Sequence, residues 1–119
     1  MAGKLTTHVL DTANGCPAVG ITIELWTIDP TGQTTLLKTT QTNADGRTDA
    51  ALLTEQDMQA GLYELIFYVG DYFAHFSGEA GEFPFLDRVP IRFGLSDPTS
   101  HYHVPLLVSP WAYTTYRGS

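Results

Sequence analysis

"HYHVPLLV", residues 101–108, alternates strictly between two kinds of side chain. The even positions, from Tyr102 to Val108, are all apolar, whereas the odd positions carry two histidines, a proline and a leucine. Successive side chains of a β-strand point to opposite faces of its sheet. The pattern therefore predicts a half-buried strand whose even positions face a core and whose two histidines, His101 and His103, face outward.

The same alternation recurs along the rest of the chain and predicts an all-β protein. Clusters of Gly, Pro, Asn and Asp separate the apolar–polar stretches, as expected of turns. One short helix is predicted over residues 71–76 with Asp71 as its N-cap, and a helical turn between 53 and 61. The predicted strands cover residues 4–11, 21–28, 34–40, 62–69, 89–95, 102–108 and 112–116, with a further short strand opening at Arg47. About eight short strands predict a two-sheet antiparallel β-sandwich.

Length and composition predict one folded domain covering residues 1–119. A chain of 119 residues buries roughly two-thirds of its unfolded surface and needs no cross-links to fold. Hydrophobic residues make up 43% and charged residues 16%, which excludes an intrinsically disordered protein. The formal net charge of −7 opposes nonspecific binding to a nucleic acid backbone.

The chain carries no targeting or membrane signal that we recognise. It has no apolar run of membrane-spanning length, and its first residues lack the basic start and apolar core of a signal peptide. Cys16 is the single cysteine, so no internal disulfide forms, and we expect it to be a buried small hydrophobe. These features predict a cytoplasmic protein that binds neither membranes nor nucleic acid.

The outer faces of two predicted strands hold histidines beside apolar residues. His8 lies on the face opposite Val9, together with Leu10, and His103 shares its face with Leu107. Such a mixed face suggests cover by another subunit. A histidine in a strand is nevertheless most often a polar surface residue. A His-x-His pair can also bind zinc, but the neighbouring sequence offers no evident third ligand.

No short catalytic motif identifies the chemistry. The chain has no Gly-x-Ser-x-Gly elbow, no P-loop and no dinucleotide fingerprint, so covalent catalysis by a serine or cysteine is poorly supported. The residue pattern alone therefore predicts an oligomeric β-sandwich with a histidine-bearing outer face, and leaves its function open.

Three separated segments carry a resemblance to a known family. They are KLTTHVLDTANGCPA at 4–18, NADGRTD at 43–49, and HYHVPLLVSP with YTTYRGS at 101–119. Together they resemble the transthyretin-related 5-hydroxyisourate hydrolases of purine catabolism. The final Tyr-Arg-Gly-Ser is the signature that separates those enzymes from transthyretin, the thyroid-hormone carrier of the same fold. The resemblance therefore implies a transthyretin-like sandwich and a hydrolase of urate degradation.

The resemblance also implies how distant residues meet. In that family one sheet contains the fourth, first, seventh and eighth strands side by side, and neighbouring strands lie about 4.8 Å apart. Arg47, His8, His103 and Tyr116 would then share one face. Two such faces meet in a homotetramer, where they form the active sites.

The implied reaction is the hydrolytic opening of a cyclic amide, from 5-hydroxyisourate to 2-oxo-4-hydroxy-4-carboxy-5-ureidoimidazoline, without metal or organic cofactor. His8 and His103 would activate water and relay its proton, although the resemblance does not say which is the base. Arg47 would polarise the substrate. Substrate binding is assigned to the last four residues, Tyr116, Arg117, Gly118 and Ser119.

Two rival functions use the same fold. A transthyretin-like carrier would hold a small ligand in the same channel without catalysis. A purely structural domain of an assembly would bind no ligand at all. The histidines, the arginine and the Tyr-Arg-Gly-Ser tail favour the enzyme, because a carrier needs no acid–base groups.

Overall fold

The computed structural model describes residues 3–77 and 83–118, which form two β-sheets packed face to face. A 3-10 turn covers Glu55–Asp57, and one α-helix, α1, covers Val69–Ser77. The strands are β1 (Lys4–Thr6), β2 (Val9–Asp11), β3 (Cys16–Pro17), β4 (Thr22–Ile28), β5 (Thr34–Gln41), β6 (Gly61–Phe67), β7 (Val89–Leu95), β8 (His101–His103), β9 (Leu106–Val108) and β10 (Tyr113–Thr115). The predicted two-sheet sandwich with one short helix is confirmed.

One sheet is regular and antiparallel, with the strand order β5-β4-β6-β7. The other, which we call the site sheet, contains β1 beside β8 and, further along, the order β10-β9-β2-β3. These two parts form one layer, because the Val104 amide donates to the Thr6 carbonyl and the Leu106 amide donates to the His8 carbonyl, both at 2.9 Å. The site sheet thus places the predicted first, seventh and eighth strands side by side.

The site sheet differs from the prediction in continuity and direction. The predicted strands 4–11 and 102–108 are each split in two, at the same level of the sheet. Pro105 has no amide to donate at this point, and the Thr7 hydroxyl donates to the Val104 carbonyl at 2.7 Å. The β1–β8 and β2–β9 pairs are parallel, so this sheet is mixed rather than wholly antiparallel.

The short strand predicted to open at Arg47 does not form. Arg47 lies in a loop, and the neighbour of β1 on that side is an isolated bridge between Leu5 and Leu53. The residues between β5 and Leu53 include the turn that carries Arg47, and they form no strand. Only Leu53 therefore represents the fourth strand of the expected sheet.

Helix α1 begins at Val69, two residues earlier than predicted, so Asp71 lies in its first turn and is not its N-cap. The Gly70 amide finds a partner outside the helix, the carbonyl of Asp87 at 2.8 Å. The predicted turn after Leu53 is confirmed as the 3-10 element, where the Thr54 hydroxyl donates to the Asp57 carboxylate at 2.8 Å. In the part of the chain described, no helix is long and apolar enough to cross a bilayer.

The core fixes which side chains face outward. Leu5 and Val9 of the site sheet are completely buried against Leu25 and Phe67 of the regular sheet. Burying each such side chain contributes about 1.5–3 kcal/mol, and a shift of one residue would turn them all to solvent. The even positions of the opening stretch are buried as predicted: Tyr102, Val104, Leu106 and Val108.

A buried carboxylate ties α1 to the site sheet. Asp11 is 1% exposed and accepts a hydrogen bond from the Tyr72 hydroxyl at 2.7 Å and another from the Asn14 amide group at 2.7 Å. Burial alone would raise the pKa of Asp11, but these bonds and those from two backbone amides outweigh it and lower the pKa. Cys16, which pairs with Asp11 in the ladder, is exposed, so the expectation that it is buried was wrong.

The Tyr72→Phe variant should lose about 1–3 kcal/mol of unfolding free energy at pH 7, because it removes a hydrogen bond to a buried charged group. Thr35→Val is the control, since it also removes a hydroxyl but lies exposed on β5, and it should change stability by less than about 0.5 kcal/mol. Urea unfolding at one protein concentration measures both. Equal midpoints for Tyr72→Phe and the parent protein would contradict the role of this bond.

Candidate active site

An open cleft of about 290 Å³ lies on the outer face of the site sheet. Two residues that the sequence assigns to a site, Arg47 and His103, share it. Its lining consists of Lys4, Thr6, Thr7, Arg47, Thr48, Ala51, His101 and His103. The cleft therefore combines cationic, imidazole and hydroxyl groups, which is a set suited to acid–base chemistry.

Strand register places the two histidines of β8 beside β1. Lys4 is the ladder partner of His101, and Thr6 is the partner of His103. The Thr6 hydroxyl oxygen lies 2.8 Å from Nε2 of His101 and 2.8 Å from Nδ1 of His103. One hydroxyl thus bridges both imidazoles.

Arg47 is positioned by the turn that precedes it. The Asn43 side-chain oxygen accepts hydrogen bonds from the backbone amides of Asp45 and Arg47. The backbone amide of Asn43 donates to the Arg47 carbonyl at 2.7 Å. Gly46 has φ +77°, and a Cβ there would collide with the carbonyl oxygen of Val9. Glycine is therefore required where this loop touches the sheet.

His8 fastens that loop to the site sheet. Its Nε2 lies 2.9 Å from the Asp45 carbonyl oxygen, and because a carbonyl only accepts, Nε2 carries the proton of this bond. His8 is not part of the cleft lining, but a positive charge on its ring would lower the pKa of His103. His8 therefore connects the Arg47 loop to the strand beside His103.

Both imidazoles of β8 favour the neutral form. Burial lowers the pKa of His103 below its usual 6.5, and repulsion from His101 and His8, when either ring is protonated, and from the Arg47 guanidinium lowers it further. Burial and the nearby Lys4 ammonium lower the pKa of His101. A neutral imidazole keeps a lone pair, so either ring can accept a proton near neutral pH.

The C-terminal tail covers one side of His103. The Gly118 amide donates to the His103 carbonyl at 2.7 Å, and the His103 amide donates back at 3.3 Å. A Cβ at Gly118 would lie 2.9 Å from Cδ2 of the His103 ring, so no larger residue fits without moving that ring. The tail is thereby held against the imidazole through its backbone.

The other tail residues take different positions. Tyr116 is 58% exposed. The Arg117 guanidinium stacks 4.1 Å above the Tyr102 ring and is not part of the cleft lining. Arg117 also contributes, after hydrogen bonds from Thr99 and Ser100, to lowering the pKa of Asp97 to about 2. Ser119 lies outside the described residues.

The sequence analysis did not assign His101, Thr6 or Lys4 to the site. The alternation of side chains between the two faces of a strand pointed to all three: Lys4 and Thr6 share a face with His8, and His101 shares one with His103. This alternation does not show which residue of β1 lies opposite which residue of β8. Within residues 3–77 and 83–118, no three His, Cys, Asp or Glu side chains are grouped as metal ligands would be.

Known proteins resemble this chain over its whole length. A sequence model described as the HIUase/Transthyretin family matches residues 5–118. A Halalkalibacterium halodurans protein named 5-hydroxyisourate hydrolase is 56% identical over 119 residues, 100% of each chain. The crystal structure of an (S)-allantoin synthase is 47% identical with a TM-score of 0.89, covering 98% of this chain and 44% of that chain. Sea bream transthyretin in complex with thyroxine is 30% identical with a TM-score of 0.84, covering 97% and 94%.

Replacing Gly118 by alanine should displace the His103 ring and loosen the tail. The pKa of His103 should then rise toward its usual value, because part of the burial that lowers it is lost. Titration of the imidazole by NMR measures this shift. Gly94→Ala is the control, since the nearest atom to its Cβ is 3.9 Å away. An unchanged His103 titration in Gly118→Ala would contradict the contact.

Proposed function

The chain belongs to the HIUase/transthyretin family, and we propose that it is a hydrolase that opens the cyclic amide of 5-hydroxyisourate in urate degradation. The relative named for this activity aligns along the entire chain at 56% identity. The observation that carries the chemistry is the cleft in which a neutral His103 and the Arg47 guanidinium stand together. This supports the enzyme predicted from the sequence.

The proposed reaction needs one base and one oxyanion partner. Water adds its oxygen to the ring carbonyl carbon while a base takes one of its protons. The amide C–N bond then breaks, and the same proton passes to the departing ring nitrogen. The product, 2-oxo-4-hydroxy-4-carboxy-5-ureidoimidazoline, carries the new carboxyl group. Only water is consumed, so the atoms balance without a further co-reactant.

His103 is the base in this proposal. It lines the cleft, and its lowered pKa keeps its ring neutral at pH 7, which is the form that accepts a proton from water. We keep His8 as the second acid–base group, as the resemblance implies, because its ring contacts the loop that carries Arg47. In this proposal His103, rather than His8, takes the proton first.

Arg47 holds the carbonyl oxygen on which negative charge develops. Its guanidinium is permanently charged and offers several fixed donors. Placed at the cleft by the Asn43–Gly46 turn, it needs no rearrangement as the charge forms. In this proposal the tail binds the substrate beside Arg47, with Gly118 held against the imidazole. Tyr116, Arg117 and Ser119 keep the substrate-binding role that the resemblance implies.

A homotetramer completes the site in this proposal. Apolar side chains remain exposed along the C-terminal strand and its turn, with Trp111 73%, Tyr113 44% and Tyr116 58% exposed. Soluble monomers seldom expose aromatic side chains so close together, and a second copy of the chain would cover them. The cleft would then become a closed pocket for a small molecule, and neither nucleic acid nor a membrane is a partner.

The carrier remains the competing function, because sea bream transthyretin shares the fold and binds thyroxine. Carriage does not use a neutral histidine and a guanidinium in one cleft, so we favour hydrolysis. Tight thyroxine binding without turnover of 5-hydroxyisourate would reverse that choice.

His103→Gln should lower kcat for freshly generated 5-hydroxyisourate by about 10²–10⁴-fold, because it removes the base. Arg47→Gln should lower it by about 10²–10³-fold through loss of oxyanion stabilisation. Ultraviolet absorbance of the substrate follows both reactions. Arg92→Gln is the matched control, since Arg92 lies on β7 and pairs with Glu64. Near-normal turnover in either cleft variant would remove that residue from the proposed mechanism.

On the acid side, the pH dependence of kcat/KM should follow the protonation of His103. Its pKa lies below 6.5 and only the neutral ring is active, so activity persists as pH falls through 6.5 and is lost below the lowered pKa. In Arg47→Gln the midpoint of the residual activity should move to higher pH, because a repelling positive charge is gone. A parent midpoint above 6.5 in kcat/KM would contradict His103 as the base.

A further inference from the structure

The Thr6 hydroxyl links two imidazoles, only one of which has a role so far. Its oxygen is 2.8 Å from Nδ1 of His103 and 2.8 Å from Nε2 of His101. A hydroxyl has one proton to donate and two lone pairs with which to accept. Each neutral imidazole has one N–H and one bare nitrogen. The Thr6 proton can therefore be given to only one of the two rings, and the other ring must donate to Thr6 or lose its bond.

We propose that Thr6 and His101 are positioning residues that hold His103 in the tautomer protonated at Nδ1, which leaves the lone pair on Nε2. In this arrangement the Thr6 hydroxyl donates to Nε2 of His101 and accepts from Nδ1–H of His103. The inference rests on His103 being the base of the proposed hydrolysis. It extends that proposal, because it names what orients the base.

The groups facing the two rings favour this direction. Because Nδ1 of His103 is engaged by Thr6, Nε2 is the nitrogen left for the cleft that Arg47 shares. A bare lone pair is attracted by the guanidinium, whereas an N–H at Nε2 would be repelled. The reverse chain, with Thr6 donating to His103, would place the proton on Nε2 and leave no base in the cleft.

His101 can accept from Thr6 only while its ring is neutral. Among the described residues, two cationic side chains act on the pair: Lys4 on β1 lowers the pKa of His101, and Arg47 in the loop lowers the pKa of His103. Burial adds to their effect, so both rings resist protonation. The three side chains thus form a neutral hydrogen-bonded chain before substrate arrives.

The hydrogen-bonded arrangement of His101, Thr6 and His103 is also compatible with the proton transfers of the proposed reaction. When Nε2 of His103 accepts the proton of water, Nδ1–H stays donated to Thr6, and no proton needs to leave the ring through Thr6. The same proton then passes from Nε2 to the departing nitrogen. The hydroxyl and His101 therefore act by orienting the ring, and the proton count of the reaction is unchanged.

Thr6→Val tests the inference, because valine keeps the β-branched shape and lacks the hydroxyl. We expect kcat to fall by about 10–10²-fold with KM little changed, which is the size of loss seen when the partner that orients a metal-binding histidine is removed. Thr6→Ser restores the hydroxyl and should restore most of kcat. His101→Phe should resemble Thr6→Val, whereas His101→Gln keeps an acceptor for Thr6 and should retain more activity.

Imidazole ¹⁵N NMR of the full-length protein gives a readout that does not depend on the substrate. In the parent protein His103 should carry its proton on Nδ1, and in Thr6→Val the two tautomers should become mixed. A His103 protonated at Nε2 in the parent, or full kcat in both Thr6→Val and His101→Phe, overturns the inference. Failure of the parent to hydrolyse 5-hydroxyisourate would instead refute the proposed function, while the tautomer spectrum would still decide the arrangement of Thr6, His101 and His103.

Discussion

The site depends on the parallel pairing of β1 with β8. That ladder sets Thr6 opposite His103 and Lys4 opposite His101, and the buried Leu5 between them locks the register. Side chains nearly a hundred positions apart in sequence thereby become neighbours. A slip of one residue would bury polar groups and expose the core, so the energy that holds the sandwich together also holds the cleft in its geometry.

Backbone contacts add what the ladder does not supply. The loop bearing Arg47 is anchored at Gly46 and by the His8 ring, and the tail is anchored at Gly118 against His103. Both glycines sit where a side chain would strike a neighbour. Loop and tail can therefore approach the sheet closely while their exposed side chains remain available to a ligand.

Period-two alternation was sufficient to predict the sandwich and the outward direction of His8 and His103, because it reflects burial directly. It could not show that β1 and β8 run parallel, since parity is the same in either direction. The predicted fourth strand does not form, because a turn hydrogen-bonded to the Asn43 side chain occupies those residues. The contact between His101 and Thr6 was missed because it depends on register, and the stacking of Arg117 on the Tyr102 ring has no signal in the sequence.

The cleft has a charge opposite to that of the protein around it. The whole chain carries −7, yet among the described residues that line the cleft two are cationic, Lys4 and Arg47, and none is acidic. A cleft lined by one sign of charge focuses its own field, and a cationic cleft therefore raises the local concentration of anionic ligands. The association of an anionic ligand would accordingly slow as ionic strength rises, since dissolved salt screens this attraction beyond about 10 Å at 0.1 M.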